Sequence, residues 1–248
     1  NGNINVTGFK NGVLSFGSDE NGITPNQLAK ITTDGLGDLA IDVGGNLNTI
    51  DLFFSEYAEG SSNNKYLEIY NPTSASISLD GYAYPNVSNA PTTVGEHENW
   101  NTFTSGATIA AGGVYIIAHG SAAANILDKA DETFNFLSNG DDGFGLAKGT
   151  EESHTIIDWL GNFDGDPGTA WDVAGISNAT KDKTLIRKAS VAAGNTSWTA
   201  SAGTNADDSE WIVKEQNYND DLGKHTYNPG FIAPPTVQFA STTIDACE

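Results

Sequence analysis

A single cysteine, Cys247, occurs in 248 residues, so no internal disulfide can brace the chain. Its penultimate position also argues against a shaped nucleophile pocket around it. Methionine is absent, so the initiating residue is missing from the sequence, and a removed signal peptide is the expected reason. No apolar run approaches the roughly 18 residues that a membrane span requires, and no membrane span is expected. Positive charge is scarce: 11 Lys and Arg face 32 Asp and Glu, a net charge of −21. Phosphate backbones are bound by Lys and Arg that release counterions, so no direct nucleic-acid binding is expected. Divalent cations and basic partners are the natural counterparts of such a surface, which also keeps an exported protein soluble.

Catalytic signatures are missing as well. His97, His119, His154 and His225 are scattered and form neither HxH nor HExxH. No GxSxG stands before a helix pattern, and Ser and Asp in abundance do not make a triad. The chain is expected not to be an enzyme.

What is present suits short strands. Hydrophobic content of 38% and aromatic content of 10% supply a core, and 28 glycines supply turns. Ile4–Phe9 and Val13–Phe16 flank Asn11-Gly12, a strong hairpin signal. Gln27–Thr33 reads as a strand or one helical turn, and Leu39–Val43 as a strand. Asp51–Tyr57 and Tyr66–Tyr70 flank the polar loop Gly60–Lys65. Period-two alternation in Tyr66–Tyr70 places Leu67 and Ile69 on one face and Tyr66, Glu68 and Tyr70 on the other. Asn71-Pro72 then ends the strand, because proline has no N–H for the ladder. Between Tyr82 and Val114 lies a loop-rich insertion with His97, Trp100 and Phe103. Gly113–Ala118, Phe144–Ala147, Thr155–Leu160, Thr184–Lys188 and Trp211–Glu215 are further strands. Ala122–Ala130 is the best helix candidate, with Ser121 as its N-cap. Gly223–Pro235 reads as an exit segment and Val237–Ala240 as a last strand.

The run Phe54–Tyr82 resembles the lamin-tail domain, as found in secreted bacterial proteins and the non-catalytic part of extracellular nucleases. The resemblance resumes at Asp164–Trp171, Thr184–Lys188, Gly194–Trp198 and Ser209–Trp211, and so spans roughly Asp51 to Thr226. It implies an all-β, immunoglobulin-like β-sandwich with an N-terminal extension and a loop-rich insertion. The expected division is 1–50 as an extension or small β subdomain, 51–228 as the sandwich, and 229–248 as a linker or tail strand. Trp159, Trp171, Trp198 and Trp211 lie at or beside these motifs and are expected in the core. Trp100, outside them, is the candidate for an exposed contact. Arg187 is expected to pair with an acidic neighbour.

Acidic turns are the candidate metal sites: Asp164 and Asp166 first, then Asp141 and Asp142, and Asp207 and Asp208. Ca²⁺ takes six to eight oxygen ligands from carboxylates, amides and carbonyls, so it is the expected ion. Asp-Gly and Asn-Gly also serve tight turns that need positive φ. The functional expectation is a secreted, non-catalytic module for adhesion, scaffolding or protein interaction, stabilised by calcium, at the cell surface or outside the cell. Its partners would be other extracellular proteins or copies of itself. One alternative is the accessory domain of an extracellular nuclease or hydrolase. Another is the subunit of an extracellular filament that uses its terminal strands.

Overall fold

The computed structural model describes residues 50–229 throughout, and before them the backbones of four strands. These are β1 (Asn5–Lys10), β2 (Val13–Gly17), β3 (Lys30–Thr33) and β4 (Leu39–Asp42). β1 and β2 pair antiparallel in a register that joins Lys10 to Val13, as an Asn-Gly hairpin requires. β3 pairs antiparallel with β4, so the end of Gln27–Thr33 takes the strand reading. The chain divides into two units; these hairpins belong to one, and Thr49–Gly230 forms the other. The strand expected at Val237–Ala240 and Cys247 lie outside the described residues.

In the larger unit the strands are β5 (Phe53–Glu59), β6 (Lys65–Tyr70), β7 (Ile77–Ser78), β8 (Tyr82–Ala83), β9 (Asn86–Val87), β10 (Thr108–Ile109) and β11 (Val114–Ala118). The short helix α1 (Ala124–Leu127) leads to β12 (Glu132–Thr133), β13 (Gly143–Thr150), β14 (Ser153–Leu160) and β15 (Lys183–Arg187). A second short helix, α2 (Trp198–Ala202), precedes β16 (Trp211–Glu215). One sheet has six strands in the order β12-β11-β6-β5-β15-β16; the other runs β14-β13-β8, with β9 also on β13. This is an all-β, immunoglobulin-like sandwich.

The inter-sheet core comes from the alternation legible in the sequence. Leu67 and Ile69 of β6, Phe54 and Tyr57 of β5, Ile117 of β11 and Leu185 of β15 pack against Tyr82, Phe144, Leu146 and Leu160. The opposite face of β6 does not meet water. Tyr66 joins Ala58, Ile116, Ala118, Ile126 and Leu222 in a second cluster, beneath α1 and the chain after β16. Both faces of the six-stranded sheet are therefore covered there, which explains why every residue of β5 and β6 is buried.

Two local expectations are corrected. Ser121 does not cap the helix: α1 starts after Ala123, without a side-chain cap. The Ser121 N–H instead donates to His119 Nδ1, and that of Ala123 to Asn64 Oδ1, so these orphan donors are satisfied from outside the helix. β13 and β14 run beyond their apolar stretches to a tight turn at Glu151-Glu152, with Thr150 opposite Ser153, because ladder pairing continues in the backbone where side-chain hydrophobicity stops. The insertion is tied down: residue Glu132 accepts from Tyr84 Oη, Tyr115 Oη and Thr104 N, and Phe103 packs into the core against Tyr84 and Tyr115.

Candidate functional site

The acidic turns were the first place to seek a site, and the structure puts them apart. Asp164 and Asp166 are exposed; Asp166 Oδ1 accepts from the Gly168 N–H, while Asn162 Oδ1 receives the Asp164 N–H. Asp208 Oδ1 accepts from the N–H groups of Thr204 and Asn205, and Oδ2 from the Thr204 hydroxyl. The Thr204 hydroxyl bond, with those amides, holds the Asp208 carboxyl below its ordinary range. Asp207 donates its N–H to Asn205 Oδ1. Asp141 and Asp142 occupy the turn before β13, closed by Ser138 Oγ, which accepts from Gly140 N and Asp142 N. Burial, followed by the neighbouring Asp141, pushes the Asp142 carboxyl up to about 6, against the pull of the Asn89 N–H. Among the described residues no three His, Cys, Asp or Glu side chains are grouped to hold a metal ion.

The turn of Asp141 and Asp142 nevertheless reaches a cavity of about 270 Å³ at one end of the sandwich. Four loops build it: Asn63 comes from the β5–β6 turn, Asn89 from after β9, His119 from after β11, and Asn135, Phe136, Asn139 and Asp142 all from the loop between β12 and β13. Gly140 makes the last turn possible, with φ of 113° and no room for a Cβ, which would meet Lys181 at 2.7 Å. Lys65 Nζ donates to Asn139 Oδ1 at 2.5 Å, fixing that amide. Phe136 is 75% exposed at the rim. Sequence reading picked out Asp142 here but missed Asn63, Asn89, Asn135 and Phe136, which share no motif. Phe136, beside Leu137 and two residues from Phe134, carries nothing that separates it from a core aromatic.

A second constellation gathers motifs that are far apart in the chain. Asp158 on β14 is fully buried and accepts from Phe54 N at 2.8 Å, Asn195 N at 2.8 Å, and both terminal nitrogens of Arg187 at 3.1 and 3.3 Å. Arg187 also meets Glu210 at 2.9 Å, and its guanidinium lies 4.5 Å over the Trp211 ring. The β5–β15 ladder ends at Glu56, where β5 bulges, so the Phe54 N–H is available to Asp158. Gly194 lets its segment approach: a Cβ there would meet Ile157 O at 2.3 Å. The expected acidic partner of Arg187 is thus Asp158, with Glu210 beside it. Burial pushes the Asp158 carboxyl up, and Arg187 with the two amides opposes this. A carboxylate saturated by an arginine and two backbone amides is a structural tie, with no lone pair aimed at a substrate.

On the outer face of the six-stranded sheet, Glu56 and Glu68 stand directly opposite each other and are both buried. The bulge turns Ser55 to the same side, where its hydroxyl donates to Glu68 Oε1. Tyr66 Oη donates to Glu56, and Gly223 N to Glu68 Oε2. Burial pushes Glu56 up to about 8 and Glu68 up to about 7.

The tryptophans divide as packing dictates. Trp198 and Trp211 are buried, and Trp159 and Trp171 pack on the core from its edge. Trp100 is half-buried, its ring tilted against His97 and His154 at 5.3 and 4.7 Å in a three-ring cluster, so it is not the free contact expected. Among the basic residues on and beside β15, Arg187 is inside, Lys183 pairs with Glu215 at 2.8 Å, and Lys188 donates to Ala206 O.

With the two sheets, the bulge and the loop end described, the comparison with known families has a definite meaning. Residues 47–163 match the family model of the lamin tail domain. The lamin-tail match covers β5 to β14 and stops at Phe163, short of the four downstream motifs. Those motifs supply β15, α2 and β16, which complete the six-stranded sheet and close on Asp158 of the lamin-tail segment. No curated protein and no solved structure matches the chain. Among the described residues no helix is long and apolar enough to cross a membrane.

Proposed function

We propose that this chain is a secreted or cell-surface recognition module that binds an extracellular partner and catalyses nothing itself. The observation that carries this reading is the convergence of four loops on a polar cavity with an exposed aromatic rim, at one end of a rigid sandwich. Binding residues on loops held by a packed scaffold are the common arrangement of recognition domains. The buried charged groups support the same reading, because Asp158 is filled by Arg187 and two backbone amides, and Arg187 is paired with Asp158 and Glu210. A net charge of −21 favours a partner that carries no phosphate. Adhesion, scaffolding and protein interaction are the roles such a module serves. The test is turnover: the purified chain, with Mg²⁺, Mn²⁺ or Ca²⁺, is expected to leave DNA and phosphate esters intact. Specific hydrolysis abolished by one substitution between Thr49 and Gly230 would overturn the reading.

A further inference from the structure

We propose that the loop-end cavity is a binding site for a neutral saccharide, with Phe136 as its stacking face. The argument rests on the recognition-module reading and narrows its ligand. Hydroxyl groups donate and accept at once, so a sugar is best held by a wall in which donors and acceptors are interspersed. The hydrogen bonds inside the protein leave this wall in that state. Asn135 Oδ1 accepts from Gly120 N at 2.9 Å and Asn139 Oδ1 from Lys65 Nζ, which reserves both amide nitrogens as donors. His119 Nδ1 accepts from Ser121 N at 3.0 Å, which places the ring proton on Nε2, a third donor. With its amide turned to donate to Asp141 at 2.8 Å, Asn89 keeps Oδ1 as an acceptor. Asp142 receives the Asn89 N–H on Oδ1 and keeps Oδ2.

The rim supplies the other half of sugar recognition. A pyranose has an apolar face of C–H groups, and an aromatic ring is its usual counterpart. Phe136 stands 75% exposed, propped edge-on by Phe134 at 5.7 Å, which rests in turn on Tyr84 at 5.6 Å. Its exposure serves no packing, but it is held in place by rings that are themselves anchored. Charge excludes one class: an anionic ligand meets Asp142 and a surface of −21, while Lys65 is occupied by Glu59 and Asn139 and offers no counter-charge. A volume of about 270 Å³ falls just below the usual range of drug-sized sites, about 300–1,000 Å³. That suits a single sugar ring or the terminal ring of a glycan. For a small, open, polar site the expected Kd is about 1 mM.

Saturation-transfer NMR of the whole chain with glucose, galactose, mannose, xylose, fucose and N-acetylglucosamine, each at several millimolar, tests the proposal. Transfer to at least one sugar is expected, strongest at the C–H protons of one ring face. It should be lost in Phe136→Ala and weakened at least tenfold in Asn139→Ala. Phe136→Ala should melt as the native chain does, since the ring is exposed. Glucuronate and glucose 6-phosphate should show no transfer. Silence from every neutral sugar, transfer that survives both substitutions, or equal transfer to the anionic sugars would each overturn the site. None of these results touches the non-catalytic reading, which falls only to enzymatic turnover.

Discussion

Asp158 illustrates how one side chain can join segments that local rules leave unrelated. It links Phe54 of one sheet, Arg187 of β15 and Asn195 of the loop before α2, while sitting on a strand of the other sheet. Taking a carboxylate and a guanidinium out of water is costly, and their attraction offsets this best when the remaining hydrogen-bonding positions are filled. Those of Asp158 are filled, while Arg187 keeps a buried Nε without a partner. Removing one partner leaves the other charge buried, so Asp158→Ala is expected to lower the unfolding free energy by about 3–5 kcal/mol. Urea denaturation measures this directly; a loss under about 1 kcal/mol would mean that Glu210 alone neutralises Arg187. Asp158→Asn should fall between, since its amide oxygen can still accept a backbone N–H.

At the scale of elements, the bulge in β5 sets the chemistry of the outer sheet face. By placing Ser55 and Glu56 on one side it puts Glu56 opposite Glu68, and the chain from Tyr218 to Tyr227 then covers them. Burial raises both carboxyls, and for Glu56 the like charge of Glu68 opposite it in the ladder adds to this, so both folded-state values lie above the ordinary glutamate value of 4.5. Folding therefore favours the protonated forms. Their contribution is fully present below about pH 4.5 and is lost as pH rises through about 7 and 8. Lys129 and Asp221 are the other charges that act on both carboxyls. His225, pushed down to about 4 by burial among Phe53 and Tyr70, works in the opposite sense, losing stability as pH falls from 6.5 toward 4. Comparison of Glu56→Gln with the native chain isolates the glutamate. Gln stays neutral, so its stability relative to the native chain should rise by on the order of a few kcal/mol between pH 5 and pH 8.5. A difference that stays constant across that range would show that Glu56 titrates normally.

For the molecule as a whole, the −21 charge is distributed over turns that use their carboxylates locally. Ca²⁺ and Mg²⁺ at equal millimolar concentration are expected to raise the melting temperature equally and slightly, by screening a like-charged surface. A Ca²⁺ site with the ion at roughly a hundred times Kd would instead add about 2.7 kcal/mol. A Ca²⁺-specific rise abolished in Asp141→Asn/Asp142→Asn or Asp164→Asn/Asp166→Asn would establish such an ion and identify its loop.

The sequence by itself determined the fold class and most strands. Period-two alternation, Asn-Gly and Asn-Pro are local signals, and backbone sterics make them decisive wherever they occur. Tyr66–Tyr70 is the clear case: its alternation assigned both faces correctly. That the Tyr66 and Glu68 face would be buried was not legible, because what covers it arrives from α1 and from residues some 150 positions later. The same distance hid Asp158 behind Arg187, and hid the cavity behind four loops whose asparagines each read as ordinary turn residues. Alternation and turn chemistry act between neighbours in the chain. Desolvation, charge pairing and the shape of a pocket act between neighbours in space, and only the tertiary structure makes those.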